Sequence, residues 1–138
     1  MTRRVLFICT HNSARSQMAE GLLRALGGTG FDVYSAGTVA TTVRPEAIAV
    51  MREIGIDISR QQSKTLERYI SEPFDEVITV CDDARDTCPI FPGVRHQRHW
   101  SIPDPSAVSG GDEKRLVAFR SLVFFQFLIL DVHGNRDM

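Results

Sequence analysis

The sequence is poor in cysteine, has no strong imbalance of charge, and lacks a long apolar run. Its 138 residues include 3 cysteines, and 16 Lys or Arg stand against 17 Asp or Glu for a formal net charge of -1. This balance excludes an extended nucleic-acid or anionic-membrane surface, so any anion must bind at a local site. The longest apolar stretch, residues 122–130, is interrupted by Gln126 and is far shorter than the roughly 18 residues of a membrane span.

The N-terminal residues and the number of cysteines indicate in which cellular compartment the protein is found. Residues 1–8 place basic residues before an apolar run of only four residues, which is too short for the core of a signal peptide. An odd number of cysteines without a secretory signal indicates free thiols in a reducing compartment rather than a disulfide framework. We therefore expect a cytoplasmic protein, although each cysteine taken alone could be buried and inert.

Strand-like and helix-like segments alternate along the chain and predict an α/β fold. The strand patterns cover residues 4–8, 31–36, 74–80 and 94–100. The helical patterns cover residues 16–26, a segment that begins at Pro45, and residues 112–130. This order predicts one domain over residues 1–138: a three-layer sandwich with a four-stranded parallel sheet in the order 2-1-3-4, flanked by helices. The tail 121–138 is atypical, because residues 122–130 are apolar on every side.

The strongest motif joins the first strand to the first helix and reads Cys9-Thr10-His11-Asn12-Ser13-Ala14-Arg15-Ser16. It lacks the Gly-x-x-x-x-Gly-Lys of a nucleotide-binding loop. A short loop that enters a helix can turn backbone N–H groups toward an anion, and the helix end adds its own donors. Arg15 can close this cradle, and the same field stabilises a thiolate at Cys9. We therefore predict that Thr10 to Ser16 bind a tetrahedral oxyanion beside the Cys9 nucleophile. Ser16 either donates to the sulfur or only caps the helix.

Residues 5–20 (VLFICTHNSARSQMAE) resemble the signature of the low-molecular-weight tyrosine phosphatase superfamily, and within it they are most similar to the thioredoxin-coupled arsenate reductases. The resemblance extends to about Arg120 and includes Ser35-Ala36-Gly37, Pro45, Asp57-Ile58-Ser59 and His99-Trp100. It implies the phosphatase-like fold. It also implies reduction of arsenate to arsenite in arsenic detoxification, with electrons from thioredoxin and no bound cofactor.

Asp104-Pro105 follows the fourth strand pattern. In the family that the chain resembles, a matching Asp-Pro supplies the acid that protonates the leaving oxygen, so the resemblance implies that role for Asp104. An oxide that leaves a phosphoryl or arsenyl centre needs such a proton, although an Asp-Pro pair alone is also a common turn. Ser106-Ala107 stand where related tyrosine phosphatases carry aromatic residues around the substrate ring. This difference disfavours the main alternative, a phosphatase acting on phosphate monoesters.

Cys81 and Cys88 favour a reductase. The third strand pattern runs directly into Cys81, and if that strand lies beside the first, Cys9 and Cys81 leave the sheet about 5 Å apart. If residues 82–87 are helical, the Cα atoms of Cys81 and Cys88 lie about 10.5 Å apart, so a disulfide requires this segment to unwind. We predict a relay in which Cys81 attacks Cys9, Cys88 attacks Cys81, and thioredoxin reduces the final disulfide. Glutaredoxin as the donor and a thiol-based sensor are open alternatives.

A further expectation concerns Lys64. Some of these reductases bind potassium near the loop through an Asn, a Glu, a Ser and a downstream Asp. The chain matches the first three with Asn12, Glu20 and Ser35, but Lys64 stands at the fourth position. We expect the Lys64 ammonium to replace the ion, with a solvated surface position as the alternative. No bound metal is expected, because the histidines lack enough neighbouring ligands.

Overall fold

The structure, a computed structural model, describes residues 2–80, 91, 96–102 and 104–122. Its parallel sheet has the strand order β2-β1-β3-β4. The strands are β1 (Arg3–Cys9), β2 (Phe31–Gly37), β3 (Glu76–Thr79) and β4 (His96–His99). The helices are α1 (Arg15–Gly27), α2 (Pro45–Glu53) and α3 (Asp112–Ser121). The predicted fold class and strand order are therefore confirmed. Cys81, Cys88, Pro103 and residues 123–138 lie outside the described residues.

Strand β1 is an inner strand of the sheet, and its residues from Val5 to Cys9 are apolar and buried because both faces are covered there. Val5 and Phe7 point into the core that contains α1, α2 and α3, whereas Leu6 and Ile8 point into a second core on the other face. The second core contains an aromatic cluster, in which Tyr69 and Phe74 meet edge to face at a centroid distance of 5.9 Å. This two-sided packing fixes the end of β1, where Cys9 lies.

The register of the sheet brings three strand ends together at one edge. Cys9 pairs with Gly37 of β2, and Ile8 pairs with Thr79 of β3. The Val80 N–H donates to the carbonyl of Ile8 at 2.8 Å, so the chain beyond β3 continues beside β1. The carboxyl edge near Cys9 is therefore the switch point that the strand order predicted.

A buried carboxylate links the strands near their opposite ends. Glu76 of β3 is fully buried, and it forms ion pairs with Arg3 of β1 and Arg98 of β4. A charge inside a sheet is tolerated only when it is paired in this way. The three residues therefore link β1, β3 and β4 away from the edge that carries Cys9.

Several element bounds differ from the sequence expectation. Strand β3 is shorter than residues 74–80, because Phe74 packs into the aromatic core before the strand begins. Strand β4 is described from His96, and α3 is described to Ser121 rather than to residue 130. The expectation for residues 123–130 falls outside the described residues. No helix in the described ranges is long and apolar enough to cross a membrane.

Candidate active site

Cys9 ends β1 and is buried, with 2% of its surface exposed. Its neighbour in β2, Gly37, packs directly against the loop that follows. A Cβ atom on Gly37 would lie 2.7 Å from the Thr10 carbonyl oxygen and 2.8 Å from the Asn12 nitrogen. Both distances are shorter than any ordinary contact, so only glycine allows the loop to approach the sheet this closely. The loop conformation thus depends on a residue that lies 28 positions after Cys9 in the sequence.

The carbonyl groups of loop residues 10–13 are each held by donors from the surrounding structure. These donors are the N–H groups of Val39 and Arg44, the hydroxyls of Thr38, Thr41 and Ser63, and the side-chain amide of Gln17. In a trans peptide the N–H of the next residue points away from the carbonyl. Within the described part of the chain, the N–H groups of residues 11–14 form no hydrogen bond. They are therefore available to an anion.

Asn12 is the fully buried centre of the loop, and its φ of 48° lies in the left-handed region that Asn tolerates better than most residues. Its Oδ1 accepts the backbone N–H of Lys64 at 2.8 Å. Because that N–H can only donate, the orientation of the carboxamide is fixed. Its Nδ2 then donates to Ser16 Oγ at 2.7 Å and to Ser35 Oγ at 2.9 Å.

Ser16 Oγ lies 2.8 Å from Cys9 Sγ. Since this oxygen already accepts from Asn12, its own proton is free to donate to the sulfur. Helix α1 has Ala14 at its N-cap position and no side-chain cap there. Helix capping therefore does not account for Ser16, and the hydroxyl is placed to stabilise a Cys9 thiolate.

The hydrogen-bond chain continues from Ser35 to a buried acidic group. Ser35 Oγ donates to Glu20 Oε1 at 2.5 Å, and Lys64 Nζ lies 3.9 Å from the same oxygen. The Lys64 side chain is only 11% exposed, so the solvated alternative is wrong. Burial lowers the pKa of Lys64, and the nearby Glu20 charge opposes that shift. The pocket expected to hold potassium already contains an ammonium group, so the residues present do not fit the ion.

Arg15 connects the loop to the segment that carries Asp104. Its buried guanidinium donates to the Ile102 carbonyl at 3.0 Å. Asp104 follows two residues later, is half-buried, and precedes a single 3-10 turn at Pro105–Ala107. The proposed oxyanion arginine and the proposed acid thus belong to connected segments of the structure.

Two features of the site were missed by sequence reasoning. Gln17 is a fully buried amide in α1 and contacts Asn12 directly. Its signal was a polar residue among apolar positions of an amphipathic helix, which is also typical of an ordinary surface position. Gly37 was noted as part of the family resemblance, but its close contact with the loop was not predicted. Among the described residues, no group of three His, Cys, Asp or Glu side chains could hold a metal ion.

The low molecular weight phosphotyrosine protein phosphatase family model matches residues 4–123, and the chain belongs to that family. An arsenate reductase of Halalkalibacterium halodurans is 45% identical over 121 residues, which cover 87% of each protein. A solved arsenate reductase in its phosphate-binding state matches with a TM-score of 0.83 and 33% identity, covering 96% of this chain and 98% of that one. A thioredoxin-dependent arsenate reductase of Corynebacterium glutamicum matches with a TM-score of 0.60 and 30% identity, covering 95% of this chain and 63% of that one. The resemblance stated from the sequence is confirmed.

Proposed function

We propose that this protein reduces arsenate to arsenite and that Cys9 is the nucleophile. The observation that carries the proposal is the Cys9 sulfur itself, which lies 2.8 Å from a hydroxyl donor and begins a loop whose carbonyls are turned away. A sulfur stabilised as a thiolate beside several free N–H groups suits attack on a tetrahedral oxyanion. The arsenate reductases that the chain resembles over nearly its whole length support arsenate as the substrate.

The first step forms a bond between sulfur and arsenic. The N–H groups of the loop and the Arg15 guanidinium bind the arsenate oxygens and stabilise their charge. The Cys9 thiolate attacks arsenic, and one oxygen leaves as water after taking a proton from Asp104. The contact between Arg15 and the Ile102 carbonyl supports this division of roles, because it ties the anion site to the segment of Asp104.

The second step reduces the arsenic. Cys81 attacks the Cys9 sulfur, a disulfide forms, and the electron pair of the broken sulfur–arsenic bond stays with arsenic, which leaves as arsenite. Cys88 then attacks Cys81 and releases Cys9, and thioredoxin reduces the Cys81–Cys88 disulfide. The position of β3 supports an attack of Cys81 on Cys9. The Val80 N–H donates a hydrogen bond to the Ile8 carbonyl, and Cys81 and Cys9 are the next residues after these two in the chain. No bound cofactor is required, and a cytoplasmic location would supply the reductant.

Turnover with arsenate, thioredoxin, thioredoxin reductase and NADPH tests this proposal. Replacement of Cys9 by serine should abolish arsenite formation, because the loop then has no sulfur to attack arsenic and form a disulfide. Cys88→Ser should stop after about one arsenite per enzyme, because the disulfide cannot leave Cys9. Sustained thioredoxin-driven turnover by Cys88→Ser would contradict the relay. If the parent protein turns over with glutaredoxin but not with thioredoxin, glutaredoxin and not thioredoxin is the electron donor.

A second candidate is hydrolysis of phosphate monoesters, which is favoured by the family and by the Cys9 loop with its arginine and acid. The same loop cannot fully distinguish phosphate from arsenate. Ser106-Ala107 offer no aromatic ring for a phosphotyrosine side chain. An assay with an aryl phosphate beside arsenate separates the two: we expect slow hydrolysis that persists in Cys81→Ser and Cys88→Ser, while arsenate turnover is lost.

A further inference from the structure

Gln17 is a fully buried side chain of α1, directly beneath the Cys9 loop. Its Nε2 lies 3.1 Å from the Asn12 carbonyl oxygen, 2.9 Å from Asn12 Oδ1 and 2.8 Å from the Gln62 carbonyl oxygen. The two N–H groups of this amide are thus shared among three acceptor oxygens. A buried amide whose hydrogen-bonding capacity is used this fully has one orientation, and it strongly disfavours any other arrangement of its partners.

Gln61 fixes that orientation from the other side. Its Nε2 donates to Gln17 Oε1 at 2.8 Å and to the Gln17 backbone oxygen at 3.0 Å. Since Gln17 Oε1 must face this donor, Gln17 Nε2 must face Asn12. The two glutamines therefore form a clasp between α1 and the segment that ends at Lys64, whose backbone N–H also donates to Asn12.

The clasp acts on Asn12 in two ways. It holds the Asn12 carbonyl, and because the peptide is planar and trans, the Ser13 N–H then points away from Gln17. It also shares Asn12 Oδ1 with Lys64, which leaves Asn12 Nδ2 directed at Ser16 Oγ. One side chain thereby governs both a loop N–H and the hydroxyl that lies beside the Cys9 sulfur.

We propose that Gln17, held by Gln61, is a positioning residue that keeps the Cys9 loop in its anion-binding conformation. The inference rests on the oxyanion role proposed above for the loop. Gln17 is itself placed to touch neither substrate nor sulfur, and it acts through Asn12. Its loss should therefore weaken capture of the tetrahedral anion more than it slows the later thiol steps.

Binding of inorganic phosphate to the reduced full chain, measured by calorimetry, tests the inference without arsenate chemistry. Gln17→Met keeps the length of the side chain but removes its donors, and the loss of a hydrogen bond of ordinary strength corresponds to roughly a tenfold loss of affinity. We expect phosphate affinity to fall about tenfold and the arsenate KM to rise by a similar factor, while kcat changes less. A merely structural role would instead lower Tm and leave the affinity of the folded fraction intact.

Gln17→Glu sharpens the test. As an anion the new carboxylate still accepts from Gln61 but has no donor, and it faces two oxygens of Asn12. The Gln17→Glu variant should therefore bind phosphate more weakly than Gln17→Met at neutral pH. Protonation restores one donor, so its affinity relative to the parent should recover as pH falls, whereas that of Gln17→Met should not. Gln61→Met retains the donors of Gln17 and should lose only twofold to fourfold, in line with the weaker end of hydrogen-bond contributions.

Gln62→Ala is the matched control, because Gln62 contacts Gln17 through its backbone oxygen only. It should bind phosphate as the parent does. Phosphate affinity and KM within twofold of the parent for both Gln17 variants would overturn the inference. If the parent binds phosphate but does not turn over arsenate, the proposed function is contradicted. The role of Gln17 is then still tested by the phosphate affinities of the variants.

Discussion

Gly37 offers a direct way to disturb the Cys9 loop without touching a residue that reacts. In Gly37→Ala the new Cβ would lie 2.7 to 2.9 Å from three backbone atoms of residues 9, 10 and 12, which is at least 0.5 Å inside the 3.4 Å at which ordinary contact begins. All three are backbone atoms, which cannot move aside as the end of a flexible side chain can. We expect overpacking to cost about 1–3 kcal/mol of unfolding free energy.

The effect on activity should exceed what this instability explains. A displacement of about 1 Å in a reacting group costs on the order of 100-fold, so a shift of roughly half that size predicts a tenfold or greater loss of kcat/KM for arsenate. Steady-state kinetics and phosphate calorimetry, both below the melting transition, measure it. Gly21→Ala is the control. Its Cβ would lie 2.6 Å from Ile58 Cγ2, so the variant also introduces a close contact, but at a part of α1 that does not contact the loop. A kcat/KM within twofold of the parent for Gly37→Ala would show that the loop does not need glycine at position 37.

Two further predictions concern charges. Because Lys64 already places an ammonium near Glu20, potassium chloride should activate arsenate turnover no more than sodium chloride of equal ionic strength, and strong specific activation would contradict the assignment. On the surface, the Arg120 guanidinium lowers the pKa of Glu53 below 4.5 by hydrogen bonding. A depressed folded-state pKa stabilises the fold above pH 4.5, and this contribution is lost as pH falls through the lowered value. Glu53→Gln should therefore lower Tm slightly at neutral pH but not in acid; an equal difference at both would argue against the pair.

The parts of the site that are local in sequence could be predicted. The strand, the loop and the helix that follow one another from Arg3 to Gly27 contain their own signals: an apolar run, a polar loop with Arg15, and a helix that ends at a glycine pair. The parallel sheet followed from the alternation of elements, because parallel strands need crossover connections. The strand order was taken from the general doubly wound pattern.

What depends on distant segments could not be predicted. The contacts of Gln17 with Gln61 and Gln62 join residues more than 40 positions apart, and a buried glutamine has no signature in a single sequence. The requirement for glycine at position 37 likewise comes from loop backbone that folds against it. Lys64 was placed correctly only because the family resemblance indicated its position beside Glu20.

In the proposed relay, oxidation passes from Cys9 to the Cys81–Cys88 pair. Single turnover of the reduced protein with arsenate and no reductase, followed by acid quenching, thiol blocking and peptide mass spectrometry, identifies which cysteines become oxidised. The relay predicts a Cys81–Cys88 disulfide in the parent and a Cys9–Cys81 disulfide in Cys88→Ser, each with one arsenite per disulfide. Arsenite release with all three thiols still free, or with Cys9 oxidised alone, would contradict it.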